Sequence, residues 1–308
     1  MIKVLIIGLG KISLLYRIKK NKLSYNTHCG YLYSKKNFKI VGAVEKKLKL
    51  IKIFNDYFSC ESFNSIKEAI KKTEPNLVII ATPTNTHLKV FKEVIFSKTN
   101  NTQAILFEKP VGKNLKEIKN INEIIKKKGV KIFVNYNRDY EEAFIKLNSY
   151  FLGISTKCNA EVSYNGGFIN NASHFISLFV NFFGKVKKIE VLKKKKNKDD
   201  FFINCILYFK NCVLNLKINK IKHNHYFKIK YNNKNLLLYS NKSKYVHFSK
   251  INSYKKIIYA LKNDHSNIYK QIENFFNKKN YFNCSLNKAI YVHQIINKCI
   301  NYKIQGSK

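Results

Sequence analysis

Tryptophan is absent from this 308-residue chain, and methionine, arginine and proline are scarce, with one, two and three residues. No run of about 18 apolar residues occurs, so no segment reads as a membrane-spanning helix. The apolar opening Met1 to Gly10 lacks a small-residue cleavage site and runs straight into a glycine turn, so it reads as a first strand and not as a leader. The seven cysteines, an odd number, show neither CxxC nor Cys/His spacing. That excludes a metal ribbon and points to reduced thiols in a cytoplasm. Acidic residues are few, 18 against 58 basic ones, giving a net charge of +40. Such a charge ordinarily suggests nucleic acid or an anionic membrane. Only Arg17 and Arg138 are arginines, however, and the lysines are spread along the whole chain. This is the signature of compositional drift from Arg to Lys. The expected partner is a small molecule, with no specific nucleic acid and no membrane.

The length suits two domains. Pro75, Pro83 and Pro110 all fall in the first half, at turns where short apolar runs begin or end. Those runs are Lys3 to Ile7, Phe38 to Val44, Leu77 to Ile80, Ala104 to Phe107 and Lys131 to Val134. They alternate with helical stretches such as Ser65 to Lys72 and the Asn114-capped Asn114 to Lys127. This predicts an α/β first domain over residues 1–137, a doubly wound parallel sheet of Rossmann type. Beyond it, Leu214, Leu216 and Ile218 alternate with polar residues, Lys210-Asn211 and Asn232-Asn233 signal turns, and Lys193 to Lys198 reads as a solvated loop. Ile268 to Phe276 and Ala289 to Ile300 read as closing helices. Residues 138–308 are therefore expected to form an α+β domain on an open, largely antiparallel sheet.

In the first domain, Gly8-Leu9-Gly10-Lys11-Ile12-Ser13 follows a strand. There Gly8 would make the tight turn, Gly10 would let backbone approach a pyrophosphate, and Ser13 would supply the small third residue. Glu45 ends the second strand, where a carboxylate accepts from ribose hydroxyls and repels a 2′-phosphate, favouring NAD. Lys46 and Lys47 beside it leave NADP open. The long separation of Gly8 from Glu45 is assigned to a loop around Asn26 to Gly30. Phe107-Glu108-Lys109-Pro110 ends a buried run on a cation, which makes Lys109 the first candidate for chemistry.

Four stretches occur together in order: GLGKIS (8–13), ATPTNTH (81–87), FEKP (107–110) and GGFINNASHFISLF (166–179). With them the chain resembles the glucose-fructose oxidoreductase/inositol dehydrogenase family, Gfo/Idh/MocA, over nearly its whole length. The resemblance implies that Gly8, Gly10, Lys11, Ile12, Glu45, Thr82, Pro83, Asn85, Glu108 and Lys109 contact the dinucleotide. As bare sequence the stretch is a turn with Thr84 or Asn85 as the helix cap, and His87, which begins that helix, is read as structural. The resemblance places Tyr136 and Arg138 near the substrate, although Arg138 could equally pair a carboxylate at the domain joint. In the general family form an Asp stands four residues before His174; here that residue is Asn170. Asn171-Ala172-Ser173-His174 matches a branch found with surface-polysaccharide genes. That branch carries an Asp three residues after the histidine, where this chain has Ser177.

The resemblance therefore implies an NAD(P)-dependent oxidoreductase acting on a hydroxyl or keto carbon of a sugar or nucleotide sugar. Lys109 and His174 would act together on one substrate oxygen, Asn170 and Asn171 would bind substrate, and the chain would form a homo-oligomer. The alternatives are a reductase of another small carbonyl or imine, and a cofactor-binding regulator of the same fold.

Overall fold

The structure is a computed structural model, and it describes residues 1–15, 25–97, 101–198, 200–219, 225–251, 253, 255–262 and 264–304. Two compact units emerge, Met1–Asn137 with Asp264–Ile290, and Arg138–Asn263 with Tyr291–Lys308. In chain order the first contains β1 (Ile2–Ile7), α1 (His28–Tyr33), β2 (Phe38–Val44), α2 (Leu48–Asn55), β3 (Ser62–Phe63), α3 (Ile66–Thr73), β4 (Leu77–Ile80), α4 (His87–Ile95), β5 (Ala104–Phe107), α5 (Leu115–Lys128) and β6 (Lys131–Val134). The strands form one parallel sheet in the order β3-β2-β1-β4-β5-β6. Every side chain of β4 and β5 is fully buried. This is why these strands read as unbroken apolar runs, since a parallel sheet is covered on both faces.

Helix ends follow local chemistry. Asn114 Oδ1 accepts from the Glu117 N–H at 3.0 Å, Glu117 Oε2 accepts from the Lys113 N–H at 3.0 Å, and Gly129 closes α5 at φ +69°. The loop expected around Asn26 to Gly30 is in fact the start of α1, capped by Thr27, whose hydroxyl accepts from the Gly30 N–H at 3.0 Å. Gly30 inside the helix masked that cap in the sequence. After Gly10 the chain forms a π-turn at Lys11–Leu15, and residues 16–24 fall outside the described residues. Neither Thr84 nor Asn85 caps α4. They lie in a 3-10 turn, and Thr86 bonds Thr82 and the Pro83 carbonyl instead.

The second unit contains α6 (Glu142–Leu152), β7 (Cys158–Tyr164), α7 (Ser173–Phe183), β8 (Lys188–Asn197), β9 (Asp200–Tyr208), β10 (Cys212–Ile218), β11 (Tyr226–Tyr231), β12 (Lys234–Ser240), β13 (Tyr245–Ser249) and β14 (Lys256–Ala260). They form an eight-stranded sheet, β14-β13-β12-β11-β7-β10-β9-β8, in which the β7–β10 pairing is parallel and the other pairings are antiparallel. Helices α6 and α7 pack Phe144 and Phe179 against Phe227 of the sheet, with ring centroids 5.8 and 5.6 Å apart. The β11–β12 turn uses Asn232 and Asn233 at φ +45° and +61°, the conformation a two-residue hairpin demands.

Helix α8 (Ser266–Phe276) is counted with the first unit, so residues 264–290 leave the span 138–308 that the sequence reading gave the second domain. The physical reason is aromatic. Tyr269 stacks on Tyr31 at 5.0 Å, and Phe275 meets Phe133 at 6.0 Å. Helix α9 (Leu286–Asn301) then closes the chain.

The lysine tract expected as a loop is strand: Lys193 to Asn197 belong to β8, at the edge of the sheet. Lysine lowers strand propensity, yet on an edge its charge blocks pairing with another sheet. Lys193→Val combined with Lys195→Val, both exposed, should therefore keep the fold and promote association. An apparent molar mass by light scattering that rises with protein concentration, where that of the parent stays constant, is the expected result.

Candidate functional site

In the first unit the sequence-derived residues gather at one edge of the sheet because parallel strands end together. Gly8 follows β1, Glu45 follows β2, Thr82 follows β4, and Glu108 and Lys109 follow β5. The strand order reverses between β1 and β4, the switch point at which open α/β sheets take ligands. Gly8 adopts φ +94°, and a Cβ there would lie 2.9 Å from the Ala81 carbonyl and the Thr82 nitrogen. Around Gly10, by contrast, a Cβ would meet nothing within 4 Å. The turn thus presents bare backbone toward open space, as a bound pyrophosphate requires. Lys11 is exposed and Ile12 half-buried.

Glu45 is pinned by backbone amides. Its Oε2 accepts from the Leu9 N–H at 2.9 Å, and its Oε1 from the Lys46 and Lys47 N–H groups at 2.8 and 3.1 Å. The carboxylate is thereby fixed beside the glycine turn. Thr82 is half-buried, while Pro83 and Asn85 are exposed. Buried His87 places its ring nitrogens 2.8 Å from the Thr82 carbonyl and 3.2 Å from that of Val111, so it fastens the loop; burial holds its pKa down.

Lys109 is half-buried at the end of β5, and the Lys109-Pro110 bond is cis. The carboxylate of Glu108, expected at the cofactor, is instead engaged inside the unit. Its Oε1 lies 3.0 Å from His28 Nε2 and accepts from Asn135 Nδ2 at 2.6 Å. Burial alone would raise its pKa. The His28 and Asn135 hydrogen bonds and the neighbouring imidazoles outweigh that and bring it down to about 2. Tyr136 is buried, with its N–H on the Val134 carbonyl.

In the second unit, His174 is buried in the first turn of α7, after a π-turn at Phe168–Ala172. Asp200, the first residue of β9, holds that turn. It accepts from the Ile169 N–H at 2.8 Å, the Asn170 N–H at 3.1 Å and the Asn170 side-chain amide at 2.9 Å. Gly167 has no side chain because a Cβ would collide with the Asp200 carboxylate. Asn171 donates to the Asn165 carbonyl at 2.7 Å. Ser177, one turn beyond His174, donates to buried Asp139 at 2.6 Å. Asn170 and Ser177, the two positions lacking a family carboxylate, are thus each bonded to a carboxylate from elsewhere in the fold. Arg138 stands over the Phe175 ring at 4.6 Å, next to His174 in sequence.

The structure accordingly brings Arg138, Asn170, Asn171 and His174 together around the start of α7, and groups Gly8, Gly10, Glu45, Thr82 and Lys109 at the first sheet's edge. His28, Asn135, Asp139 and Asp200 escaped the sequence reading. Among the described residues no cluster of metal-ligating side chains occurs, and no helix is long and apolar enough to cross a membrane.

A parallel βαβ sheet with a bare glycine turn and a carboxylate after β2 is the arrangement of a dinucleotide-binding domain. Residues 2–136, the first domain, match the Gfo/Idh/MocA family model, described as the oxidoreductase family with NAD-binding Rossmann fold. No curated protein matches the chain by sequence. Similar solved structures include an oxidoreductase from Thermotoga maritima, with a TM-score of 0.79, 15% identity, and coverage of 97% of this chain and 96% of that one. The WlbA (WbpB) dehydrogenase from Thermus thermophilus, in complex with NAD and alpha-ketoglutarate, has a TM-score of 0.70 at 10% identity and covers 100% and 97%. Biliverdin reductase from Synechocystis, with biliverdin and NADP+, has a TM-score of 0.71 at 13% identity and covers 97% and 98%. The family model matched by residues 2–136 is an NAD-binding one.

The pair at Glu108 carries a pH signature. A carboxyl at about 2 in the folded chain and 4.5 unfolded stabilises above the unfolded value and loses that contribution as pH falls toward 2. Linkage puts it at about 3 kcal/mol. Glu108→Gln should be less stable than the parent at neutral pH and should lose less stability between about pH 5 and about pH 2. Urea unfolding across that window is the measurement, and parallel stability curves would contradict the assignment.

Proposed function

We propose that this chain is an NAD(P)-dependent dehydrogenase or reductase acting on a hydroxyl or keto carbon of a sugar or nucleotide sugar, with surface-polysaccharide assembly as its setting. The observation that carries the reading is the convergence of the Gly8 turn, the pinned Glu45 carboxylate, the Thr82 loop and Lys109 on one edge of a parallel sheet. The Asn171-Ala172-Ser173-His174 string on a separately braced helix supplies the second half. The nicotinamide cofactor, when bound, supplies the hydride acceptor or donor.

The chain's own residues account for the rest. The Gly8 to Ile12 backbone, Thr82, Pro83 and Asn85 hold the dinucleotide, while Glu45 receives the ribose hydroxyls. The His174 imidazole takes the proton of a substrate hydroxyl as it becomes a carbonyl, and returns it in reduction. The Lys109 ammonium stabilises negative charge on a substrate oxygen. Arg138, Tyr136, Asn170 and Asn171 orient the substrate. Cytoplasmic location and a homo-oligomeric state complete the proposal. Reduction of another small carbonyl or imine compound is the second reading; the Synechocystis biliverdin reductase shows that such chemistry uses this fold.

Two outcomes are expected. NADH should bind more tightly than NADPH by fluorescence titration, because the Glu45 carboxylate repels a 2′-phosphate; the reverse order would remove the ribose role from Glu45. With NAD and a panel of nucleotide sugars, Lys109→Ala and His174→Ala should each lower kcat by about 10²–10⁴-fold while NADH still binds. The double variant should lose little more than either single one, as for residues acting as one unit. Cofactor binding without turnover of any sugar or carbonyl in the parent protein would favour the regulator.

A further inference from the structure

Behind the end of β5 lies a buried polar chain that the proposed chemistry does not use. His28, at the start of α1, is fully buried. Its Nε2 is 3.0 Å from Glu108 Oε1 and its Nδ1 2.8 Å from the Tyr269 hydroxyl on α8. Asn135, just after β6, donates to the same Glu108 oxygen at 2.6 Å. The His265 ring stacks on His28 with centroids 4.5 Å apart and planes 20° from parallel. Three segments, α1, the chain after β6 and α8 with its cap, therefore gather around the carboxylate that follows β5.

An ionised carboxylate only accepts, so His28 Nε2 carries a proton toward Glu108. That fixes the ring's orientation, with Tyr269 bonded to the other nitrogen. Apolar residues of similar volume often replace a buried ion pair without loss of stability, so what the network holds in place is the feature to explain. The Glu108 N–H donates to the Ile80 carbonyl at 2.9 Å and the Asn135 N–H to the Phe107 carbonyl at 2.9 Å, so the ladder runs on past β5. Lys109 stands in the bend directly after this ladder, so a Glu108 held through both its N–H and its side chain fixes the backbone from which Lys109 departs.

We propose that His28 is a positioning residue for Lys109: by clamping Glu108 it fixes the direction in which the Lys109 ammonium leaves the sheet edge. The catalytic consequence rests on the role proposed above for Lys109; the clamp itself does not.

The test needs no substrate. Acetylation of each lysine by an amine-reactive ester is followed by peptide mass spectrometry in the parent, His28→Leu, His28→Gln and Tyr269→Phe, with Lys3 and Lys131 of the same unit as internal references. In His28→Leu the Lys109 rate relative to the references should change by about fivefold, the scale of one lost hydrogen bond. His28→Gln, which keeps a donor for Glu108, should return toward the parent. Tyr269→Phe preserves the ring packing and removes only the hydroxyl on His28. It should give a smaller change of the same sign, and it decides the matter if His28→Leu does not fold. A merely structural role would lower the melting temperature and move all three lysines together, or leave the Lys109 ratio unchanged; either result overturns the proposal. Protection of Lys109 by NADH is read separately. Its absence in the parent would count against the cofactor-side role of Lys109, while the ratio without NADH would still decide the clamp.

Discussion

Everything at the edge of the first sheet depends on Gly8 having no side chain. β1 and β4 are neighbours, and the chain leaving β1 must pass the chain leaving β4 where a Cβ at position 8 would stand 2.9 Å from backbone. The same close approach brings the Leu9 N–H within 2.9 Å of Glu45, and so joins the turn after β1 to the end of β2. His87 ties the far side of the Thr82 loop to the Val111 carbonyl beyond β5. A side chain at position 8 would force these strand ends apart and disperse the group. The glycine is thus a packing requirement before it is a phosphate-binding device.

In the second unit the equivalent constraint is a carboxylate. The start of α7 leaves backbone N–H groups without partners, as any helix does, and Asp200 satisfies those of Ile169 and Asn170 from the first residue of β9. The negative charge that the general family form carries at position 170 thereby stands one hydrogen bond away, on another element. Asp139 stands in the same relation to Ser177. Asn170 and Ser177 therefore do not strip the surroundings of His174 of carboxylates; they hand the charge to residues that sequence spacing does not connect.

This explains what could be read from the sequence and what could not. β1, β2, β4, β5 and β6 were legible because strands buried on both faces must be apolar throughout, and their ends carry the turn residues that the ligand edge needs. Asn114 and Gly129 announced α5 for equally local reasons. β8 was misread because lysine is a poor strand former and only its position at the sheet edge justifies it. α1 was missed because Gly30 outweighed the Thr27 cap. Asp139 and Asp200 lie 38 and 30 residues from the side chains they hold. His28 and Tyr269 lie 241 residues apart. No periodicity reports such pairs. Asp200 did leave a trace: with Asp199 it forms an acidic pair after the lysine tract, in a chain with only 18 acidic residues.

The scarcity of arginine shows in how carboxylates are held. A guanidinium is weakly hydrated and bonds carboxylates in a bidentate fork, whereas a lysine ammonium is strongly hydrated and costly to bury. With arginine reduced to two residues, Glu45 is held by three backbone amides, Asp200 by backbone amides and Asn170, and Glu108 by His28 and Asn135. The lysine ion pairs Lys72–Glu61 and Lys188–Glu190 sit where both partners are wet and contribute little, while Lys228–Glu161 is half-buried on the sheet. Amide donors have no charge to desolvate, and an imidazole can give one up. A chain whose basic residues are nearly all lysine can therefore keep its charge on the surface and still fix anionic groups in its interior.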